Sequence, residues 1–442
     1  MKLHAFPSPT LPLQTVLAVL IFMGSALASG TTAKVLYRFH GQTDGSNPYG
    51  NLIADQAGNF YGTTEYGGPG GYYGTVFELT PPTKAGGAWK ETTLYAFGNT
   101  GDGARPTDGL VFDSKGNLYG TTSDSNAGGY GEVFQMAPPA TKGGTWTETV
   151  LYHFQGLTDG AYPIGGLIAD AAGNLYGATS YTVFQLSPPA QSGGSWTFSL
   201  LHEFTGGTTD GTSSHSGLVR DPSGNLYGTT LWGGYEGNGN CGSIGCGTVF
   251  EVSPPAVKGG TWSEQVIYFF GRGNDGFDPE GGLALDAAGN LYGTTYSGGT
   301  PGGGTAFRLS PPSQSDGAWT EEIIHKFSYT TSDGAAPVAT MILDKAGNLY
   351  GTTEFGGTPC FFNGADYGCG VVFELSPASG STSWNETILY SFPRPWGNPR
   401  QPTGSLLFDA HGNLYGTTYF GGLYVCTTDG SSGCGTVFEL AR

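Results

Sequence analysis

One phrase, Asp-x-x-Gly-Asn-Leu-Tyr-Gly, recurs seven times along the chain, with Phe60 in place of Leu in the first copy. Its Asp falls at Asp55, Asp113, Asp170, Asp221, Asp286, Asp344 and Asp409, at intervals of 51 to 65 residues. A constant phrase at a variable interval marks a tandem array of supersecondary units whose loops differ in length. Each unit carries four runs of alternating apolar residues, of the types Gly166-Leu167-Ile168-Ala169-Asp170, Asn174-Leu175-Tyr176-Gly177, Gly247-Thr248-Val249-Phe250-Glu251-Val252 and Trp146-Thr147-Glu148-Thr149-Val150-Leu151-Tyr152-His153-Phe154. Period-2 alternation rich in β-branched and aromatic residues predicts strands. The Asp-x-x-Gly-Asn between the first two runs closes a hairpin, and Pro-Pro with a Gly-rich stretch ends the third.

Seven copies of a four-stranded antiparallel unit predict an all-β fold, a seven-bladed β-propeller. The ends sharpen this. The repeat region opens with a lone fourth-type run, Val35-Leu36-Tyr37-Arg38-Phe39, and closes with a third-type run, Thr436-Val437-Phe438-Glu439-Leu440. The last unit lacks its outer strand and the first segment has one to spare. Pairing the two completes the seventh blade and hides both open edges.

The runs Gly-Asn-Leu-Tyr-Gly-Thr-Thr and Gly-Thr-Val-Phe-Glu-Leu-Ser-Pro-Pro resemble the Gloeo_Verruco (GloVer) extracellular repeat of bacterial exported proteins. All seven units carry the resemblance, which spans essentially the whole mature chain. It implies a repeat propeller outside the cytoplasm and carries no settled activity. Members of that family often end in a sorting anchor, and none is expected here before Arg442.

With 442 residues the chain is long enough for one large ring. Gly is abundant at 79 residues and charge is scarce, but 13% aromatic residues at fixed spacing supply a core. A net charge of −18 without a basic cluster argues against nucleic acid and against anionic lipid surfaces. At the N-terminus, Lys2 precedes the apolar run Val16 to Met23, and Ala26-Leu27-Ala28 fits small-x-small cleavage. This predicts a signal peptide over 1–28, one propeller domain over 29–442, and a secreted, extracellular or periplasmic protein without a membrane span after cleavage.

Six cysteines fall in three close pairs, Cys241/Cys246, Cys360/Cys369 and Cys426/Cys434. In an exported chain an even count favours disulfides, and pairing within each loop is the simplest of fifteen connectivities. The spacings are not those of a zinc site.

Residues present in every copy serve the fold. The seven turn Asp residues are read as turn formers. The Phe closing each fourth strand is core, and the Trp opening six of them packs between blades. His202 and His325 stand where other copies have Tyr and are read as structural substitutes; His153 is placed on a solvent face.

Function is expected on the variable loops, which join fourth to first and second to third strands and share one face. These loops are aromatic: Tyr66, Tyr72, Tyr73, Trp232, Tyr235, Tyr296, Phe355, Phe361, Phe362, Tyr367, Trp396, Phe420 and Tyr424. Such rings stack on sugars or anchor a protein partner, or pack on neighbouring loops. The third copy lacks its second-to-third loop, with Thr179-Ser180-Tyr181-Thr182 passing directly between the strands. That predicts a notch bordered by Tyr162, His215, Trp232 and Tyr235. Arg105, Asp108, His215, Asp278, Glu280 and Arg400 occur once each near the inner-strand entrances and are expected at the mouth of a central channel. Asp275, Asp278 and Glu280 are close enough in sequence to hold a structural calcium ion, whose ligands are oxygens.

No Gly-x-Ser-x-Gly elbow, His-Glu-x-x-His helix or phosphate-binding Gly-Lys-Ser/Thr loop is present. The leading expectation is a monomeric, non-catalytic extracellular binding module for a glycan or a cell-surface partner, with no cofactor. A polysaccharide hydrolase or lyase built on His215 and nearby carboxylates is the alternative. A structural envelope protein is the third.

Overall fold

The computed structural model describes residues 32–442, apart from 70, 85, 100, 126–128, 142, 157, 192, 235–240, 315–316, 363–364, 379, 381–382, 395–396, 424–425 and 427–432, and apart from the side chains of 125 and 362. The expected signal segment 1–28, and Tyr235, Trp396 and Tyr424, lie outside the described residues.

Seven four-stranded antiparallel sheets, with almost no helix, form the blades of a propeller ring. Blade 4 shows the plan: Val219–Arg220, Leu226–Thr230, Thr248–Ser253 and Ser263–Phe269 pair in sequence order. In blade 7 the fourth strand is Ala33–Arg38, which pairs antiparallel with Thr436–Leu440 in the register Ala33 to Leu440 and Arg38 to Thr436. This closure reproduces the bulge seen between third and fourth strands elsewhere, falling between Val35 and Tyr37 here and between Val133 and Phe134 in blade 2. The expected pairing of the two ends is therefore present.

The repeated residues do what the repeat requires. In the first turn, Asp55 Oδ1 accepts the Ala57 and Asn59 backbone N–H groups at 2.8 and 2.9 Å, and Oδ2 accepts the Asn59 side-chain amide at 2.8 Å and the Tyr61 hydroxyl at 3.2 Å. The Asp is a hub holding turn and second strand together. The Gly that follows Leu-Tyr is required by close approach: a Cβ on Gly228 would lie 2.5 Å from Cζ of Phe250 on the adjacent strand.

Core packing runs between blades. The Phe closing one blade meets the third-strand Phe of the next edge-on, as Phe97 with Phe134 at 5.3 Å and Phe204 with Phe250 at 5.1 Å. Trp146, Trp196, Trp262, Trp319 and Trp384 each reach back to the Tyr of the preceding blade, at 5.9 to 6.2 Å. Along the channel the first Thr of Thr-Thr donates to a carbonyl of the next inner strand: Thr63 to Asp108, Thr121 to Gly165, Thr229 to Gly281 and Thr417 to Gly50.

The variable loops share one face, as expected. Short pairings join the fourth-to-first and second-to-third loops of one blade: Gly103–Ala104 with Asp124–Ser125, Gly211–Thr212 with Trp232–Gly233, Gly276–Phe277 with Ser297–Gly298, and Gly334–Ala335 with Phe355–Gly356. All three disulfides, Cys241–Cys246, Cys360–Cys369 and Cys426–Cys434, lie on these loops. Among the described residues, no helix is long and apolar enough to cross a membrane.

Candidate functional site at the channel mouth

Just before each inner strand, one residue that is not Gly adopts a left-handed backbone: Asn47, Arg105, Tyr162, Ser213, Asp278, Ala336 and Gln401, with φ between 52° and 63°. These seven are the non-Gly positive-φ residues among those described. Six precede a proline. Such a conformation is uncommon for a side-chain-bearing residue and persists only where the surroundings impose it.

The surroundings here are two hydrogen bonds. The N–H of each rim residue donates to a carbonyl on the preceding blade, for example Arg105 to Tyr73, Tyr162 to Tyr130 and Ser213 to Ser180. For six of the seven, the carbonyl accepts from the residue after Thr-Thr in the same blade: Glu65, Ser123, Leu231, Tyr296, Glu354 and Tyr419. In blade 3 the corresponding Ser180 N–H goes to Ala161 instead. Three of the accepting carbonyls belong to disulfide cysteines: Cys434 receives Asn47, Cys246 receives Asp278 and Cys369 receives Gln401. The disulfides thus brace the rim. The backbone is the same in seven blades, and the side chain differs in every one.

Behind the rim, Tyr49, Asp108, His215 and Glu280 line one cavity in the channel. Arg105, Tyr162 and Asp278 from the sequence reading are rim residues, and His215 and Glu280 sit two residues after Ser213 and Asp278, ahead of the inner strands Val219–Arg220 and Ala284–Leu285. Tyr162 is exposed and meets Tyr130 edge-on at 6.2 Å. His215 Nε2 lies 2.9 Å from Ser213 Oγ, and burial lowers its pKa, favouring neutral imidazole. Asp108 is tied into the wall, accepting the Gly109 and Gly166 backbone N–H groups, so it braces blades 2 and 3; burial still lifts it to about 6.

One side of the mouth is acidic and phenolic. Burial, then the charge of Asp278, raises Glu280 to about 7. Burial, then Glu280, raises Glu354 to about 7, and burial alone raises Asp278 to about 6. Gln401 Nε2 donates to Glu354 Oε1 at 2.9 Å, and the Tyr419 hydroxyl donates to Glu65 Oε2 at 2.9 Å. Burial, then the surrounding carboxylates, pushes the Tyr49 and Tyr296 phenols far up, so they remain hydrogen-bond donors. These groups offer donors and acceptors to a polar, hydroxyl-bearing ligand.

Other expectations fall elsewhere. Trp232 is partly exposed but pairs with Thr212 in a short ribbon and does not line the cavity. Arg400 places its guanidinium over the Phe420 ring at 5.7 Å. The calcium trio does not assemble: Asp275 Oδ2 takes the Tyr268 hydroxyl at 3.0 Å, away from Asp278 and Glu280, and the three form no compact ligand group. Asp275 is held at the blade seam by Tyr268, while Asp278 and Glu280 belong to the rim and the cavity behind it. Tyr49, Glu65, Glu354 and Tyr419 were missed. For the last three the sequence holds only a partial signal: the residue after Thr-Thr varies from blade to blade, but its pairing to the rim residue is visible only in the fold.

Comparison with solved structures returns matches at low identity. The extracellular domain of a hybrid two-component system from B. thetaiotaomicron is 10% identical with a TM-score of 0.49, and covers 93% of this chain; the chain spans 41% of that protein. The ulvan lyase of polysaccharide lyase family PL25 is 12% identical, TM-score 0.49, covering 91% of this chain and 95% of that one. The Trichoderma reesei carbohydrate-active enzyme of family AA12 is 12% identical, TM-score 0.43, covering 94% and 96%. Comparison with curated protein sequences returns no match. The Gloeobacter/Verrucomicrobia repeat matches residues 25–241 and 181–426, and with seven such units closed into a ring the chain belongs to that repeat family.

Proposed function

We propose that the protein is a non-catalytic extracellular binding module whose ligand, a glycan or a glycan-bearing cell-surface partner, seats on the channel mouth. One observation carries this reading: seven different side chains on one repeated, strained backbone, each held by a main-chain hydrogen bond to the preceding blade and six of them by a second within their own blade. A scaffold that fixes the backbone and varies the side chain suits recognition. The exposed rings of Tyr162 and Trp232 on the same face give stacking surfaces for sugars. Three disulfides agree with export, and residues 1–28 are proposed as the cleaved signal.

The test is a glycan array with a parallel pull-down from envelope extracts, using the parent protein, Tyr162→Ala and Trp232→Ala. Binding that weakens about tenfold, ~1.4 kcal/mol, in the Tyr162 variant is expected. No ligand above background in either format would refute the reading.

A second reading is favoured by one detail. A neutral His215 and a Glu280 carboxyl near 7 line the same cavity, which are the protonation states a base and an acid need at neutral pH. It predicts polysaccharide cleavage that His215→Ala abolishes.

A further inference from the structure

At the seams between blades a second cluster repeats, away from the channel. It is built from the residue two before the closing Phe, the Asp of the Asp-Gly turn and, except where Phe198 stacks on Tyr152, a Glu on the next fourth strand. In four seams the first position is Tyr, and its hydroxyl donates to the Asp: Tyr37 to Asp44 at 2.6 Å, Tyr95 to Asp102 at 2.8 Å, Tyr152 to Asp159 at 2.6 Å and Tyr268 to Asp275 at 3.0 Å. A phenol supplies the Asp with a proton of its own, although Glu148 Oε1 and Glu321 Oε1 in two of these seams also have no hydrogen-bond partner.

Two seams carry His instead. His325 Nε2 lies 3.2 Å from Asp333 Oδ1 and 3.5 Å from Glu386 Oε1, and His202 Nε2 lies 3.4 Å from Asp210 Oδ2 with Glu264 beside them. In each trio the ligand atoms all lie within 4.8 Å of one another. Ligands about 2.0–2.1 Å from a tetrahedral zinc ion stand about 3.3 Å apart, close to the His–carboxylate separations found here. Part of each trio is unsatisfied: His202 Nε2 and Glu264 Oε1 in the first and Glu386 Oε1 in the second are shut off from solvent and have no hydrogen-bond partner, while His325 Nε2 is hydrogen-bonded to Asp333 Oδ1. A solvent-free, unpaired nitrogen or carboxylate oxygen is costly unless something occupies the gap. Imidazole with two carboxylates suits zinc-class divalent ions rather than calcium, which takes oxygen ligands alone.

We propose that the His202–Asp210–Glu264 and His325–Asp333–Glu386 clusters are two zinc-class metal sites that clamp blade 3 to blade 4 and blade 5 to blade 6. A divalent ion neutralises the two carboxylates and leaves one coordination position for water.

The test is zinc titration of chelator-treated protein by calorimetry, with metal content after dialysis. His202→Tyr and His325→Tyr install the residue that the other five copies carry two before the closing Phe, so the ring is expected to fold. Two equivalents of zinc with Kd below about 10 μM are expected in the parent protein, one in each single variant and none in the double. Calcium should not compete. Should a Tyr variant fail to fold by circular dichroism, Glu264→Gln and Glu386→Gln replace them with the same expected losses. Absence of such binding in folded parent protein, or two equivalents retained in the double variant, overturns the proposal; each site stands on its own variant.

Discussion

Phe39 meets Phe77 edge-on with ring centroids 5.1 Å apart, although the two residues belong to the last and first blades. This contact repeats what Phe97 and Phe134 do within the chain's interior, and it seals the ring. Phe39 is fully buried. Phe39→Ala is therefore expected to cost about 3–5 kcal/mol, read as a lower urea midpoint, and to raise aggregation by freeing the edges of Ala33–Arg38 and Thr436–Leu440. An unchanged midpoint would show that the closure contributes nothing.

Stability should fall as pH rises from about 4.5 to 8. Burial raises Glu91, Glu148 and Glu321 to about 7, and Glu132 to about 8, with neighbouring acids adding to several of them. The folded ring keeps protons that an unfolded chain releases near 4.5, so their contribution is present at low pH and lost through 7 to 8. The turn acids act oppositely. Burial alone would raise Asp113, Asp170, Asp286, Asp344 and Asp409, but hydrogen bonds from Asn, Tyr and backbone N–H groups outweigh it and lower them. Their contribution disappears as pH drops below their normal range. Thermal melts in chelating buffer should peak near pH 4–5; a higher Tm at pH 8 than at pH 5 contradicts this.

Each disulfide closes a ring of 5 to 9 residues in sequence separation. Loss of one is expected to cost about 2–3 kcal/mol in the chain-entropy model. Because Cys246 and Cys369 accept the N–H groups of Asp278 and Gln401, their loss should loosen the rim as well as the ring. Hydrogen exchange at Asp278 in a Cys241→Ser/Cys246→Ser variant checks this, with protection there expected to fall more than at Asp286.

Gly228→Ala adds a methyl where Cζ of Phe250 already sits 2.5 Å from the ideal Cβ position. The expected cost is about 1–3 kcal/mol, seen in chemical denaturation. The same change at Gly259, which has nothing within 4 Å but a φ of +82°, probes backbone strain without a clash.

The repeat made the fold legible from residues alone. The constant Asp55 turn, the Trp146 type of strand and the unmatched ends at Val35 and Val437 all report local rules applied seven times. The site was legible in part. Arg105, Asp108, His215, Asp278, Glu280 and Arg400 stood out as residues occurring once on a repeated frame; Asp108, His215 and Glu280 line one cavity, and Arg105 and Asp278 carry the left-handed backbone. Glu65, Glu354 and Tyr419 arrive there through backbone pairing to the rim, which links positions in different strands, and no sequence period records that link. The calcium trio shows the converse: Asp275 and Asp278 are three apart in sequence but belong to a blade seam and a channel rim.

The rim has a further consequence. Because the strained residues are held through their main-chain N–H and carbonyl groups, the backbone there is set independently of which side chain it carries. Seven addresses can then be rewritten one at a time without renegotiating the ring, so descendants of one such propeller can diverge in what they grip while remaining superimposable in how they stand.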